Sequence, residues 1–222
     1  MKQKLVLTFA ALTICLSLSA KLTNGQTDEL PKIEVAAEFT SLTKPSFDNG
    51  DTEPGFGGRF TFNLNRSFAV EGVGYFFPHK SRFGFSTSDN GGNIAEGLFG
   101  LKAGKRFEKW GIFAKGRPGL VSFSQGNTGY IQTGQGGTFP FVFTQNRATH
   151  FAFDVGGVLE FYPSKRIVTR FDAGDTLIHY GARTQNFLTL DPITGAVILF
   201  PFRRPAETRH NFQFAASVGF RF

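Results

Sequence analysis

The chain has 222 residues, with 27 Gly and 29 Phe, 41% hydrophobic residues, a formal charge of +7 and a single Cys. That is room for one all-β domain. Downstream of the N-terminus nothing offers the roughly 20 continuous apolar residues of a membrane helix, which excludes a helical membrane protein but not a barrel, whose strands show lipid only alternate residues.

Residues 1–25 read as a secretory signal: Lys2 and Lys4, an apolar run from Leu5 to Leu18, then small and polar residues, with a cut expected after Ala20 or Gly25. Ile14 is too bulky for a lipid-attachment box around Cys15, so that Cys leaves with the signal and no thiol or disulfide chemistry is expected. The signal carries Lys2, Lys4 and Lys21 and no acid, so its loss lowers the charge from +7 to +4. The basic balance is then small, and no nucleic-acid partner is expected. Residues 26–222 are expected to form one barrel domain.

Eight segments alternate with a period of two, as strands do. The first sets Ile33, Val35, Ala37 and Phe39 against Glu34, Ala36, Glu38 and Thr40. The others are Arg59 to Asn65, Phe68 to Phe76, Ala95 to Gly104, Trp110 to Ser122, Phe151 to Phe161, Ile167 to Leu177 and His210 to Phe222. Their connections alternate too. Asn65 to Ser67, Lys105 to Lys109 and Tyr162 to Arg166 are short, whereas Thr43 to Gly57, Phe77 to Ile94, Phe123 to Thr149 and Ile178 to Arg209 are long. Short turns on one side and long loops on the other are the layout of an even-stranded barrel with periplasmic turns and extracellular loops.

One face of these strands holds Glu34, Glu38, Glu71, Glu96, Asp154, Glu160 and Asp172 with Arg59, Lys102, Lys115, Arg117, Arg170 and Arg221. The other face is almost free of charge. A Lys or Arg facing lipid near the midplane costs about 2 to 4 kcal/mol, so these thirteen charges are expected to face inward. Folding the hairpins about the short turns predicts Arg59 near Glu71, Glu96 near Arg117 and Glu160 near Arg170. An eight-stranded barrel is only just wide enough for its inward side chains to fill, so balanced charge predicts a plugged lumen rather than a lined channel.

Gly157-Val-Leu-Glu-Phe-Tyr-Pro-Ser164 through Arg170-Phe-Asp-Ala-Gly-Asp175, together with the Phe-rich C-terminal strand, resembles the OmpA-like, OmpX-like family of small outer-membrane β-barrel proteins. The resemblance covers essentially all of the mature sequence. It implies an all-β, eight-stranded antiparallel up-and-down transmembrane barrel in the bacterial outer membrane, embedded in outer-membrane lipid, with both termini periplasmic. It also implies that Phe212, Phe214, Val218, Phe220 and Phe222 form the signal read by the barrel assembly machinery.

Some eight-stranded barrels modify lipid A, and His79, His150, His179 and His210 all lie in loops or at extracellular strand ends. His79-Lys-Ser81 has the His-x-Ser pattern of lipid A deacylases, but it departs from that family around the motif. No acid is placed to orient the imidazole, so no catalytic residue is assigned, and no cofactor or metal site either.

The loops hold what remains for function. Loop three contributes Phe139, Phe141 and Phe143. Loop four contributes Leu188, Leu190, Ile198 and Phe200, read as a hairpin with arms Phe187 to Leu190 and Ala196 to Phe200 around a turn at Asp191 to Gly195. Those arms are too short to cross lipid, so the hairpin is expected to protrude, continuing the barrel's own ladder. The sequence thus points to a closed barrel presenting loops three and four to an extracellular partner or stabilising the membrane. A narrow small-solute porin is the alternative, and a lipid A-modifying enzyme a more distant one.

Overall fold

The computed structural model describes residues 31–43, 52–78, 91–132, 141–190, 193, 195 and 197–222. The predicted signal, residues 1–25, lies outside them, as do His79 and Phe139. The strands are β1 (Ile33–Thr43), β2 (Thr52–Asn63), β3 (Phe68–Phe77), β4 (Gly91–Arg106), β5 (Trp110–Gln132), β6 (Phe141–Phe161), β7 (Ile167–Tyr180), β8 (Arg183–Leu190), β9 (Val197–Arg204) and β10 (Glu207–Arg221). Eight of them close into a barrel in the ring order β1, β10, β7, β6, β5, β4, β3, β2, while β8 and β9 form a separate two-stranded sheet. Every pairing is antiparallel, and closure runs from Glu34 opposite Arg221 to Thr43 opposite Phe212. This is the expected up-and-down, eight-stranded fold.

Alternation is what makes these segments barrel strands. In β1 the even residues Glu34 to Leu42 are buried and the odd ones outside, and β10 repeats the pattern with Asn211, Gln213, Ala215, Ser217 and Arg221 inside. The short turns are closed by side chains: Asn65 Oδ1 accepts the Ser67 and Phe68 N–H groups at 2.8 Å each, and Ser164 Oγ accepts those of Arg166 and Ile167 at 3.3 and 3.1 Å. Wall curvature depends on glycine where Gly156 pairs with Gly174. A Cβ on Gly156 would lie 2.3 Å from the Ala173 carbonyl oxygen, so only glycine permits that close backbone approach.

The strand ends on the long-loop side differ from expectation. The loops Thr43 to Gly57 and Phe77 to Ile94 are shorter than read, because β2 begins at Thr52 and β4 at Gly91. Much of the expected loop Phe123 to Thr149 is ladder, with Asn127 opposite Asn146 through Gln132 opposite Phe141 after a register shift beyond Phe123. Polar residues such as Asn127 and Gln145 interrupt the apolar alternation but not the pairing, since backbone groups make the ladder and need partners wherever the chain runs.

The loop-four hairpin is longer than read and is not part of the barrel wall. Leu190 pairs with Val197, so the connection spans 191–196. The expected continuous ladder is corrected: Tyr180 pairs with Glu207 and Arg183 with Arg204, so register is kept, but Gly181, Ala182, Pro205 and Ala206 lie outside both sheets. Pro205 has no N–H to donate, which accounts for a break at this point.

Candidate functional site

The lumen is filled in layers that follow from strand position. At the short-turn end, Asn63 Nδ2 donates to Glu34 Oε1 at 2.9 Å and Arg106 Nη2 donates to Asn63 Oδ1 at 3.0 Å. The Arg221 guanidinium lies 4.3 Å from the Tyr162 ring centroid, and the Tyr162 hydroxyl donates to Glu160 Oε2 at 2.7 Å. Tyr162 sits just beyond β6, where burial, and then the Glu160 carboxylate, push its phenol above the usual range.

The middle layer is a connected charge network. Arg170 Nη2 donates to Glu71 Oε2 at 3.0 Å and to Asp172 Oδ2 at 2.9 Å. Lys102 pairs with Glu160 and lies 3.5 Å from Glu71. Arg117 Nε donates to Asp154 Oδ2 at 2.8 Å, and Lys115 approaches the same oxygen at 3.0 Å. Arg59 Nη1 donates to Glu38 Oε1 at 2.8 Å, and the Tyr75 hydroxyl donates to Glu38 Oε2. Glu96 accepts from Gln213 Nε2 at 3.0 Å, and Gln213 in turn accepts from Thr176 Oγ1 at 2.6 Å. All thirteen charges assigned inward from the sequence are buried here.

Two of the expected pairs lie near each other but are not directly bonded. Arg59 bonds Glu38 rather than Glu71, and Arg117 bonds Asp154 rather than Glu96. Glu160 does lie near Arg170, at 3.6 Å, although Lys102 is its direct partner. Strand neighbours are not the only groups in reach, because long side chains span so narrow a barrel. Arg170 on β7 reaches Glu71 on β3, and Gln213 on β10 reaches Glu96 on β4, each pair from opposite walls. Arg106, Tyr75 and Tyr162 were not assigned to the lumen from the sequence; their inward parity on the strands or next to the short turns was the available signal.

Above the charges, toward the long loops, the lumen becomes apolar. Leu42, Phe77, Ile94, Phe123, Ile178 and Tyr180 are all at most 2% exposed and belong to one cluster. The His150 ring meets that of Tyr180 at a tilt of 53° with centroids 4.5 Å apart, and Arg183 and Arg209 lie over the Tyr180 ring at 5.6 and 5.2 Å from its centroid. This cap too was missed, because most of it lies at or beyond the ends of the alternating segments.

The exterior is the inverse of the interior. Phe39, Phe60, Phe99, Leu120, Phe151 and Phe220 are each more than half exposed, on six different strands. Of the C-terminal residues, Phe212, Phe214, Phe220 and Phe222 are exposed on this face and Val218 is partly so. The outward charged or titratable side chains of the barrel strands lie near the ends: Lys105 at the short-turn end and Arg147, Asp175, His179 and His210 toward the loops. His210 Nδ1 is 2.5 Å from Asp175 Oδ2, an imidazole oriented by an acid that sequence spacing did not reveal. The hydroxyl two residues away, on Thr208, is engaged by His179 Nδ1 at 3.0 Å instead, so the dyad does not form a nucleophile–base pair with it. Among the described residues, no group of three His, Cys, Asp or Glu is arranged to hold a metal.

For the loop residues, the backbones of Phe141 and Phe143 lie in β6, and those of Leu188 and Leu190 in β8. Ile198 and Phe200 are exposed on one face of β9, at 40% and 56%.

An apolar belt around a closed ring with a polar, filled interior defines the class: a small transmembrane antiparallel β-barrel. No family model and no curated protein matches the chain. Solved structures similar to it include Neisserial surface protein A, at 14% identity and TM-score 0.41 over 86% of this chain and 96% of that one. The N-terminal β-barrel domain of Pseudomonas aeruginosa OprF is similar at 11% identity and TM-score 0.39, over 85% and 97%. Ail, the attachment invasion locus protein of Yersinia pestis, is similar at 15% identity and TM-score 0.40, over 86% and 96%.

Proposed function

We propose that the chain is an integral barrel of the bacterial outer membrane, with periplasmic termini and short turns, a closed lumen and no enzymatic role. Its work is to hold the long loops and the β8–β9 hairpin at the cell surface, for binding an extracellular partner or for stabilising the membrane. Phe212, Phe214, Val218, Phe220 and Phe222 serve in this reading as the outward stripe that the assembly machinery recognises. The observation that carries the reading is the double filling of the lumen: a charge network crossing from wall to wall, and an apolar cap above it. A water column would have to displace both. Purified protein in planar bilayers is therefore expected to show little steady conductance. Frequent openings proportional to salt concentration would replace this reading with a small-solute pore.

A further inference from the structure

The apolar belt does not end at one height around the barrel. Pairing partners followed once around the ring from Thr43, by way of Phe212, Asp175 and Val155, return to β1 at Ile33, ten residues lower on the same strand. With strands tilted by about 45° and advancing about 3.3 Å per residue, each residue gains about 2.3 Å along the barrel axis, and each step to the next partner in that direction loses about 3 Å. On that scale Ser41, Asp175 and Gly97 stand within about 1 Å of one height, and Phe151, the β6 partner of His179, stands about 6 Å above them. From β4 to β6 the outward side chains between those two levels are still apolar, at Ala95, Leu120 and Phe151. On β7, β10 and β1 they are Asp175, His210, Ser41 and Thr43, with Leu177 and Phe212 among them.

Asp175 is the deep member of this notch. Its Oδ2 lies 2.5 Å from His210 Nδ1 and its Oδ1 accepts the Asn211 N–H at 3.0 Å, yet the carboxylate side chain remains 37% exposed and the imidazole 74%. An Asp side chain has one methylene and cannot climb about 6 Å to the level of Phe151, as a Lys or Arg would by snorkelling. We propose that polar headgroups of the loop-side leaflet, with their water, descend into the notch, so that the barrel thins the membrane beside the β1–β10 seam. Local thinning and water entry are how a bilayer accommodates an ionisable side chain that does not reach its surface. Continuity selects the occupant. The notch is bordered by outward side chains of the belt itself, Phe39 and Phe214 below and Phe151 and Phe153 beside it, so the lipid that surrounds the belt surrounds the notch. Hydrocarbon in that place would leave the exposed faces of Asp175 and His210 without water.

This inference rests on the membrane-spanning reading above, and the test separates the two. Cys15, in the signal, is the only Cys of the chain, so the full mature protein takes a single nitroxide at S41C or, at the same height on the far wall, at G97C, where a side chain meets nothing within 4 Å. Each labelled protein is folded into phosphatidylcholine vesicles, and its accessibility to oxygen and to a water-soluble nickel chelate is read by paramagnetic resonance. The G97C label is expected to favour oxygen, and the S41C label to meet the nickel chelate several-fold more. Asp175→Leu with His210→Leu is expected to move the S41C label most of the way to the G97C value. Should that variant not fold, the two labels in the natural background decide. Equal, oxygen-favoured values at both positions overturn the notch alone, as does nickel access at S41C that survives the double variant. Exclusion of both reagents from S41C overturns the headgroups as occupant, since chain then covers the notch. Full nickel access at both positions overturns the membrane reading and the notch with it.

Discussion

The two halves of the lumen solve the same packing problem with opposite chemistry. Through its middle the barrel is filled by Arg170, Glu71, Lys102, Glu160, Arg117 and Asp154, charges that are buried and depend on one another for compensation. Near the loops it is filled by Phe77, Phe123, Ile178 and Tyr180, which need only shape. Removing one member of the charged layer leaves a buried partner uncompensated, whereas removing one member of the cap leaves a void that the loop-side mouth can hydrate. The charged half should therefore be the more brittle, and the apolar half the better seal.

The sharpest way to break that contrast is at Arg170, which is bonded to Glu71 across the barrel and to Asp172 beside it. Arg170→Ala strands two buried carboxylates and is expected to lower stability by about 3 to 5 kcal/mol. Urea unfolding of the barrel in phospholipid vesicles measures this, and a loss under about 1 kcal/mol would mean that water already screens the layer.

In the cap, Phe123→Ala removes a ring that is 1% exposed and sits 6.4 Å from that of Tyr180. Its cost is expected at the lower end of the range for a buried Phe, about 3 kcal/mol, because the site lies close to the mouth. The combined Phe77→Ala and Phe123→Ala variant should also raise bilayer conductance if the cap is the seal, and Arg170→Ala should raise it more if the charges are.

A third measurement asks how far partnership follows geometry rather than strand adjacency. A double-mutant cycle for Arg117 and Asp154 should give a coupling of about 1 to 3 kcal/mol, and one for Arg117 and Glu96 less than about 0.5 kcal/mol. Equal couplings would show that the layer acts as a diffuse field instead of a set of bonds. Glu96 is held by the neutral Gln213, so Glu96→Gln is expected to be among the mildest changes in the network.

What could be read from the sequence divides along the same lines. Alternation in Ile33 to Thr40 or Phe151 to Phe161 reports which wall a side chain faces, because one face is apolar, and it placed Glu34, Asp154 and Arg170 inside without any contact being known. It does not report height across the barrel or what stands on the opposite wall, so Arg170 with Glu71 could not be found by folding hairpins about their turns. The apolar cap was invisible for a different reason. Leu42, Phe77, Phe123, Ile178 and Tyr180 face inward where both faces carry similar side chains or the pattern has already faded into loop, and period alone then carries no direction.

The smallest effect is expected outside the barrel, and it bounds the comparison from the other side. The β8–β9 hairpin keeps the register of β7 and β10 but is separated from their ladder at Gly181, Ala182, Pro205 and Ala206, so no unbroken ladder of strand hydrogen bonds ties its fold to the wall. An isolated two-stranded hairpin is marginal in water, and the described contacts that hold it to the mouth are few: Arg183 lies 4.0 Å from Glu207 and over the Tyr180 ring, and β8 touches β5. Replacing residues 183–204 with a short Gly-Ser linker should therefore lower barrel stability by less than about 1 kcal/mol, the worth of exposed ion pairs, while Arg170→Ala in the same background keeps its full cost. In intact cells a protease should cut within 183–204 and leave a barrel that still resists unfolding. A loss of several kcal/mol on removing the hairpin would mean that the break at Pro205 is closed by packing and that the hairpin belongs to the cap.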